Sequence, residues 1–195
     1  MTQTRAVRLL LLVMFVPLAA QGEPQPKRAP TALERSLATA KLTWKMPDGF
    51  ESVSVSENRA MSYDIAIKAK RVKLEARYAI RVAGPEIAHD NKTRVRGARL
   101  SEGLFTATIL NISAGTDAPI TRFDPKAARA EFGTPDGATA AFAPLADGWQ
   151  GYKQCMMVGI EKDGAAAYAF FLFDDLAAVD AELRKAFHAL RFAAE

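Results

Sequence analysis

The chain has 195 residues, of which 49% are hydrophobic and 25% are charged, and its formal net charge is +4 at pH 7. A balance this mild argues against the basic surface of a nucleic-acid-binding protein, so no nucleic-acid partner is expected. The single cysteine, Cys155, cannot form an internal disulfide and lies in an apolar stretch, so we expect it in the core of a domain held by that core alone.

The N-terminus has the pattern of a secretion signal. Two arginines precede an uninterrupted apolar run from Leu9 to Val16, and small residues suited to cleavage follow it. The run is shorter than the ~20 residues that a membrane-spanning helix needs. The pattern predicts a signal peptide over residues 1–22, cleaved after Ala20 or Gly22. We therefore expect an exported protein, periplasmic or secreted, with no transmembrane anchor after cleavage.

The next segment, residues 23–38, has three prolines among polar and charged residues and is predicted to be a flexible linker. A single domain is predicted over residues 39–195. Its first part alternates apolar and polar residues, which is typical of half-buried antiparallel strands. The predicted strands are Lys41–Met46, Phe50–Glu57, Ser62–Lys68 and Lys73–Val82. Their polar faces place them at the margin of a sheet, where one face reaches water.

Helical spacing then predicts a helix within Thr93–Ser113, followed by a short strand over Ile120–Phe123. A second helix should begin after Asp124, a good N-terminal cap with proline next to it, and end at Gly133.

The C-terminal third contains two segments that are apolar on both faces, Tyr152–Ile160 and Ala165–Phe173, joined by Lys162-Asp163-Gly164. An Asp-Gly pair between apolar runs predicts a hairpin, and strands apolar on both sides belong in the middle of a covered sheet. Asp174 or Asp175 should cap a final helix that runs to about Phe187. A closing strand is predicted over Leu190–Phe192.

Together these elements predict an α+β fold, with a mostly antiparallel sheet of roughly six to eight strands in an α/β/α sandwich. The order of elements, and five segments in particular, resemble the PsbP-like superfamily, which includes the extrinsic subunit of the photosynthetic oxygen-evolving complex and the DcrB-type envelope proteins. The segments are Met46–Phe50, Met61–Lys68, Glu75–Arg81, Gly151–Val158 and Leu190–Phe192. They are most similar to a group of exported bacterial proteins.

The resemblance implies a non-enzymatic module that assists or stabilises larger assemblies. No photosystem partner is carried over, because fold does not determine function. The expected function is an interaction or assembly module of the bacterial cell envelope.

The residues themselves indicate no catalytic, metal or cofactor site. The two histidines, His89 and His188, suit a polar loop and a helix C-terminus better than a ligand set of three or four. Asp174 and Asp175 suit helix capping better than acid–base work. We therefore expect a protein that is not an enzyme.

The most distinctive charge pattern is the segment from Lys68 to Arg99, where ten lysines and arginines stand against three acids. Four of them form the candidate partner-binding set: Arg77, Arg81, Lys92 and Arg94. Arg77 and Arg81 should point to the same side of one strand, ~13 Å apart. The expected partner is an unknown envelope protein or an anionic envelope component. Ordinary solvated loops are the alternative interpretation.

An alternative function is binding of a small ligand, a lipid or a glycan. Tyr78, Trp149 and Tyr152 are the candidate pocket residues, because aromatic side chains beside glycines can line a shallow pocket. Packing at a sheet edge explains these residues equally well.

Overall fold

The computed structural model describes residues 30–82 and 100–193. The elements in chain order are α1 (Ala32–Thr39), β1 (Leu42–Trp44), β2 (Phe50–Ser52), β3 (Ile65–Ala69), β4 (Leu74–Val82), α2 (Leu100–Ile112), β5 (Thr121–Arg122), α3 (Pro125–Phe132), β6 (Asp136–Phe142), β7 (Gln154–Lys162), β8 (Ala165–Phe173), α4 (Leu176–Phe187) and β9 (Leu190–Phe192).

Seven strands form one antiparallel sheet in the order β2-β3-β4-β8-β7-β6-β5. The predicted apolar hairpin is confirmed as β7 and β8, and β8 is the central strand. Asp163 and Gly164 both have positive φ, 51° and 80°, as a tight hairpin turn with the right twist requires. The seven-stranded antiparallel sheet and its helices confirm the predicted α+β fold.

Each face of the sheet carries its own apolar core. On one face α1, α3 and α4 pack together with a separate two-stranded ribbon of β1 and β9. On the other face α2 packs with the loop that precedes β7. Cys155 is fully buried in this second core, as predicted, and burial raises the pKa of its thiol. The arrangement is a three-layer sandwich.

The helix ends follow the predicted chemistry. Asp124 accepts hydrogen bonds from two backbone N–H groups of α3, and Gly133 ends that helix in the left-handed conformation. Asp175 caps α4, whereas Asp174 accepts from the backbone N–H of Lys153 and takes no part in capping. His188 lies at the C-terminal end of α4, where it was expected.

Three features differ from the sequence-based expectations. Residues 32–39, assigned to the flexible linker 23–38, form α1, because Thr31 and Glu34 make a reciprocal capping box and Leu33 and Leu37 pack on the core. Strand β6 was not predicted, because its alanines and glycine have low strand propensity. Finally, β4 lies inside the sheet, and both of its faces are covered.

The predicted signal peptide, His89, Lys92 and Arg94 lie outside the described residues. Within the described part of the chain, no helix combines the length and the apolar character needed to cross a membrane.

Candidate functional site

Arg77, the first of the predicted partner-binding residues, is buried inside the sandwich. Its Nε atom donates to Glu75 at 2.6 Å, and its Nη1 atom donates to the backbone carbonyl of Gly148 at 2.6 Å. The guanidinium also lies 4.9 Å from the ring centre of Tyr63 and 4.6 Å from that of Trp149. These contacts define an Arg77 cluster that ties the loop before β7 to the sheet.

The structure therefore corrects the predicted docking surface. Arg77 is 7% exposed and cannot contact a partner, because α2-side residues cover the face of β4 that was expected to reach water. Arg81 lies on the same side of β4 but is held by Asp64 at 3.3 Å and by the hydroxyl of Ser62 at 2.8 Å. Lys92 and Arg94 are not among the described residues.

The predicted aromatic pocket is also wrong. Tyr78 projects into the core on the opposite face of the sheet, where its hydroxyl donates to the carbonyl of Ala186 at 2.8 Å. Trp149 is fully buried in the Arg77 cluster. Tyr152 is half-buried and donates to Glu75 at 3.1 Å, and burial together with that carboxylate raises the pKa of Tyr152 to about 12. The three side chains are used in packing and do not line a common cavity.

A cavity lies elsewhere, between α2 and the part of the sheet that β6, β7 and β8 form. Its volume is about 410 Å³, and Phe105, Ile120, Ala138, Glu161 and Tyr168 are among its lining residues. We call it the Tyr168 pocket. A cavity of this volume falls within the range of small-ligand sites in proteins.

A glycine in the sheet makes room for the aromatic rings beside the Tyr168 pocket. Gly159 lies opposite Tyr168 in the β7–β8 register, and a Cβ atom at position 159 would come within 2.7 Å of the Phe105 ring. The Phe105 and Tyr168 rings pack with their centres 6.2 Å apart. Gly159 therefore lets the α2 aromatic ring lie directly against the sheet beside the pocket.

Two polar atoms at the Tyr168 pocket are buried without a hydrogen-bond partner among the described residues: the Tyr168 hydroxyl and Oε2 of Glu161. Tyr168 is 1% exposed. Burial, with a contribution from Glu161 that Arg81 partly opposes, raises the pKa of Tyr168 to about 12, so the phenol is neutral at ordinary pH. Unpartnered buried polar groups are rare in folded proteins and destabilise them.

The strand register places a second carboxylate at the Tyr168 pocket. Asp136 on β6 lies directly opposite Glu161 on β7, and both residues line the pocket. Like charges directly opposite each other on neighbouring strands repel. Arg122 also lines the pocket, and both Arg122 and Asp136 have interactions of their own. Within residues 30–82 and 100–193, no three histidine, cysteine or acidic side chains converge as a metal site would require.

Sequence reasoning missed this pocket, although two signals for it exist. Glu161 is an acid at the end of an otherwise apolar strand, and Gly159 interrupts the same strand two residues earlier. Neither signal identifies a pocket without the register, which places Tyr168 and Asp136 beside them.

A group of basic residues remains exposed at the β3–β4 turn. Lys68, Lys70, Arg71 and Lys73 form what we call the basic tip. Lys73 pairs with Asp174 at 2.8 Å, while Lys70 and Arg71 have no ion-pair partner among the described residues.

The chain is similar in structure to the cyanobacterial PsbP protein (CyanoP) of Synechocystis, whose solution structure is known. The two share 12% sequence identity, with a TM-score of 0.49 over 80% of this chain and 88% of the other. The sequence matches no family model and no curated protein. The function is argued from the site and not from this likeness.

Proposed function

We propose that the protein is an exported, non-enzymatic binding protein of the bacterial cell envelope that holds a small ligand in the Tyr168 pocket. The observation that carries this proposal is the pair of buried, unpartnered polar atoms beside a cavity of about 410 Å³. A ligand that supplies the missing partners would recover the free energy that their burial costs.

The composition of the pocket supports a binding role. Phe105 and Ile120 provide apolar surface, whereas Glu161 and Tyr168 provide a small number of fixed polar contacts. This combination is typical of small-ligand sites, in which apolar walls give affinity and a few polar groups give orientation. The expected class of ligand is therefore amphipathic, as in the lipid alternative that the sequence left open.

The pocket can be tested with N-phenylnaphthylamine, a dye whose fluorescence rises in apolar sites. We expect saturable binding to the wild-type protein and loss of binding in Ala138→Leu, which adds side-chain volume at the pocket wall. Ala178→Leu is the matched control, because Ala178 is exposed on α4. Dye binding that is absent, or that is equal in wild type and Ala138→Leu, would contradict the proposed function.

A second candidate function rests on the basic tip. Its exposed cations fit an anionic envelope surface, and each contributes roughly 1 kcal/mol near such a surface. Replacing Lys68, Lys70 and Arg71 together by glutamine should weaken salt-sensitive binding to phosphatidylglycerol vesicles about a hundredfold. The control replaces three exposed cations elsewhere: Lys126, Arg129 and Arg191. Equal losses in the two triple variants would exclude a specific role for the tip.

Export is tested separately, by expressing the full chain in a Gram-negative host. The proposal expects a periplasmic form that begins at Gln21 or Glu23, as measured by N-terminal sequencing. A full-length form confined to the cytoplasm would contradict it.

A further inference from the structure

The two unpartnered polar atoms at the Tyr168 pocket, Glu161 Oε2 and the Tyr168 oxygen, can both accept hydrogen bonds. A carboxylate accepts hydrogen bonds only, and Glu161 Oε2 has no donor near it among the described residues. The Tyr168 oxygen can accept as well as donate, and it too has no partner. Glu161 and Tyr168 are diagonal neighbours on one face of β7 and β8, a spacing from which long side chains can reach a common partner.

We propose that the pocket binds an organic cation: a primary amine, protonated, on an apolar alkyl or aryl body. This inference rests on the proposed function and specifies its ligand. The ammonium group donates one hydrogen bond to Glu161 Oε2 and another to the Tyr168 oxygen. Its positive charge strengthens the hydrogen bond that it donates to the Glu161 carboxylate.

The charges around the pocket favour a cation over an anion. A carboxylate ligand would meet Glu161 and Asp136, and the cations near it are already engaged: Arg81 with Asp64, and Arg122 in interactions of its own. A neutral alcohol could bond Tyr168 and Glu161, but its hydrogen bond to the Glu161 carboxylate would lack the positive charge that strengthens the bond from an ammonium group. The amine therefore gains an interaction that neither alternative has.

The apolar walls of the pocket indicate that the ligand also has an apolar alkyl or aryl body. The Phe105 ring, which packs against Tyr168, and Ile120, an exposed large apolar residue, border the same space. An alkyl or aryl group that covers them removes apolar surface from water and adds affinity without directional contacts.

The test compares n-octylamine, n-octanol and octanoate as competitors of N-phenylnaphthylamine on the full mature protein. We expect octylamine to bind about tenfold or more tightly than octanoate, and tighter than octanol. Glu161→Gln should weaken octylamine about tenfold or more while octanol changes less than about twofold. Glu57→Gln is the matched control, because Glu57 is an exposed acid that does not line the pocket.

The possible failures are distinguishable. If the dye binds and all three competitors displace it equally, or octanoate displaces it best, the cation proposal is overturned and the proposed function stands. If neither dye nor competitors bind, both are overturned. Should Glu161→Gln fail to fold by circular dichroism, Tyr168→Phe provides the second variant. It should weaken octylamine several-fold, and octanol less, if the phenol oxygen accepts from the ammonium, because the ammonium's hydrogen bond is charge-assisted. No change for octylamine would overturn that contact.

Discussion

Two buried tyrosines offer a matched test of the claim that the Tyr168 hydroxyl has no partner. Tyr78 and Tyr168 are 0% and 1% exposed, and they lie on opposite faces of the same sheet. The Tyr78 hydroxyl donates to the carbonyl of Ala186, whereas the Tyr168 hydroxyl has no partner in the described structure. Replacing each by phenylalanine removes one buried hydroxyl group, which is hydrogen-bonded in Tyr78 and unpartnered in Tyr168.

The expected changes in the free energy of unfolding have opposite signs. Tyr78→Phe removes a hydrogen bond worth about 1 kcal/mol, and the loss stays near that value because the Ala186 carbonyl still accepts from the backbone N–H of Ala189. Tyr168→Phe removes a buried hydroxyl whose desolvation costs roughly 1–3 kcal/mol, so the ligand-free protein should become more stable by about 1 kcal/mol. The two variants should therefore differ by about 2 kcal/mol.

Urea unfolding followed by tryptophan fluorescence measures this difference, since both tryptophans lie in or against the two cores. For a domain of this length the separation corresponds to roughly 4–8 °C in Tm. Equal destabilisation by the two substitutions would refute the reasoning, because it would mean that the Tyr168 hydroxyl is satisfied in the folded protein.

Three further outcomes follow from the structure. Arg77→Ala should lower the free energy of unfolding by about 3–5 kcal/mol in urea, since it leaves Glu75 partly buried without its cation, and a loss below about 1 kcal/mol would contradict the Arg77 cluster. Gly133→Ala should lower Tm, because its Cβ atom would lie 2.7 Å from the carbonyl oxygen of Phe192 and its φ is +72°; an unchanged Tm would refute this. Because burial raises the pKa of Tyr168 in the folded protein from 10.0 to about 12, the wild type should lose stability relative to Tyr168→Phe as pH rises from 10 to 12. Unfolding curves of the two proteins should show a free-energy difference that is constant below pH 10 and grows above it, and a difference that stays constant throughout would refute this.

The sequence predicted those parts of the fold that depend on local chemistry. Asp124 and Gly133 identified α3 because capping is a contact between near neighbours in the chain. The Asp163-Gly164 turn identified the central hairpin because only a few residue types adopt its backbone angles easily. Local signals of this kind are independent of how distant segments pack.

The sequence-based predictions were wrong where burial or strand formation depends on tertiary packing. Arg77 alternates with apolar residues as a solvent-facing side chain would, yet Trp149, which is distant in sequence, covers it with an aromatic ring. Strand β6 has little intrinsic preference for a strand and forms because β5 and β7 pair with both of its edges. Sequence alternation alone cannot say what lies above a polar face.

The candidate site was missed for the same reason. Glu161, Tyr168 and Asp136 come from three strands, and only the register of those strands makes them neighbours. Nothing in the sequence favours Tyr168 over Tyr78 as a pocket residue, since both lie in predicted strands. The missing hydrogen bond, a property of the folded protein, distinguishes the two.

The central claim, that the Tyr168 pocket is a binding site, is tested most directly by mapping backbone amide shifts in two-dimensional NMR spectra while N-phenylnaphthylamine is added to the protein. The account predicts saturable shifts at Phe105, Gly159 and Tyr168, and none at Lys70 or Arg71. Shifts that are absent from the pocket, or that do not saturate, would contradict it.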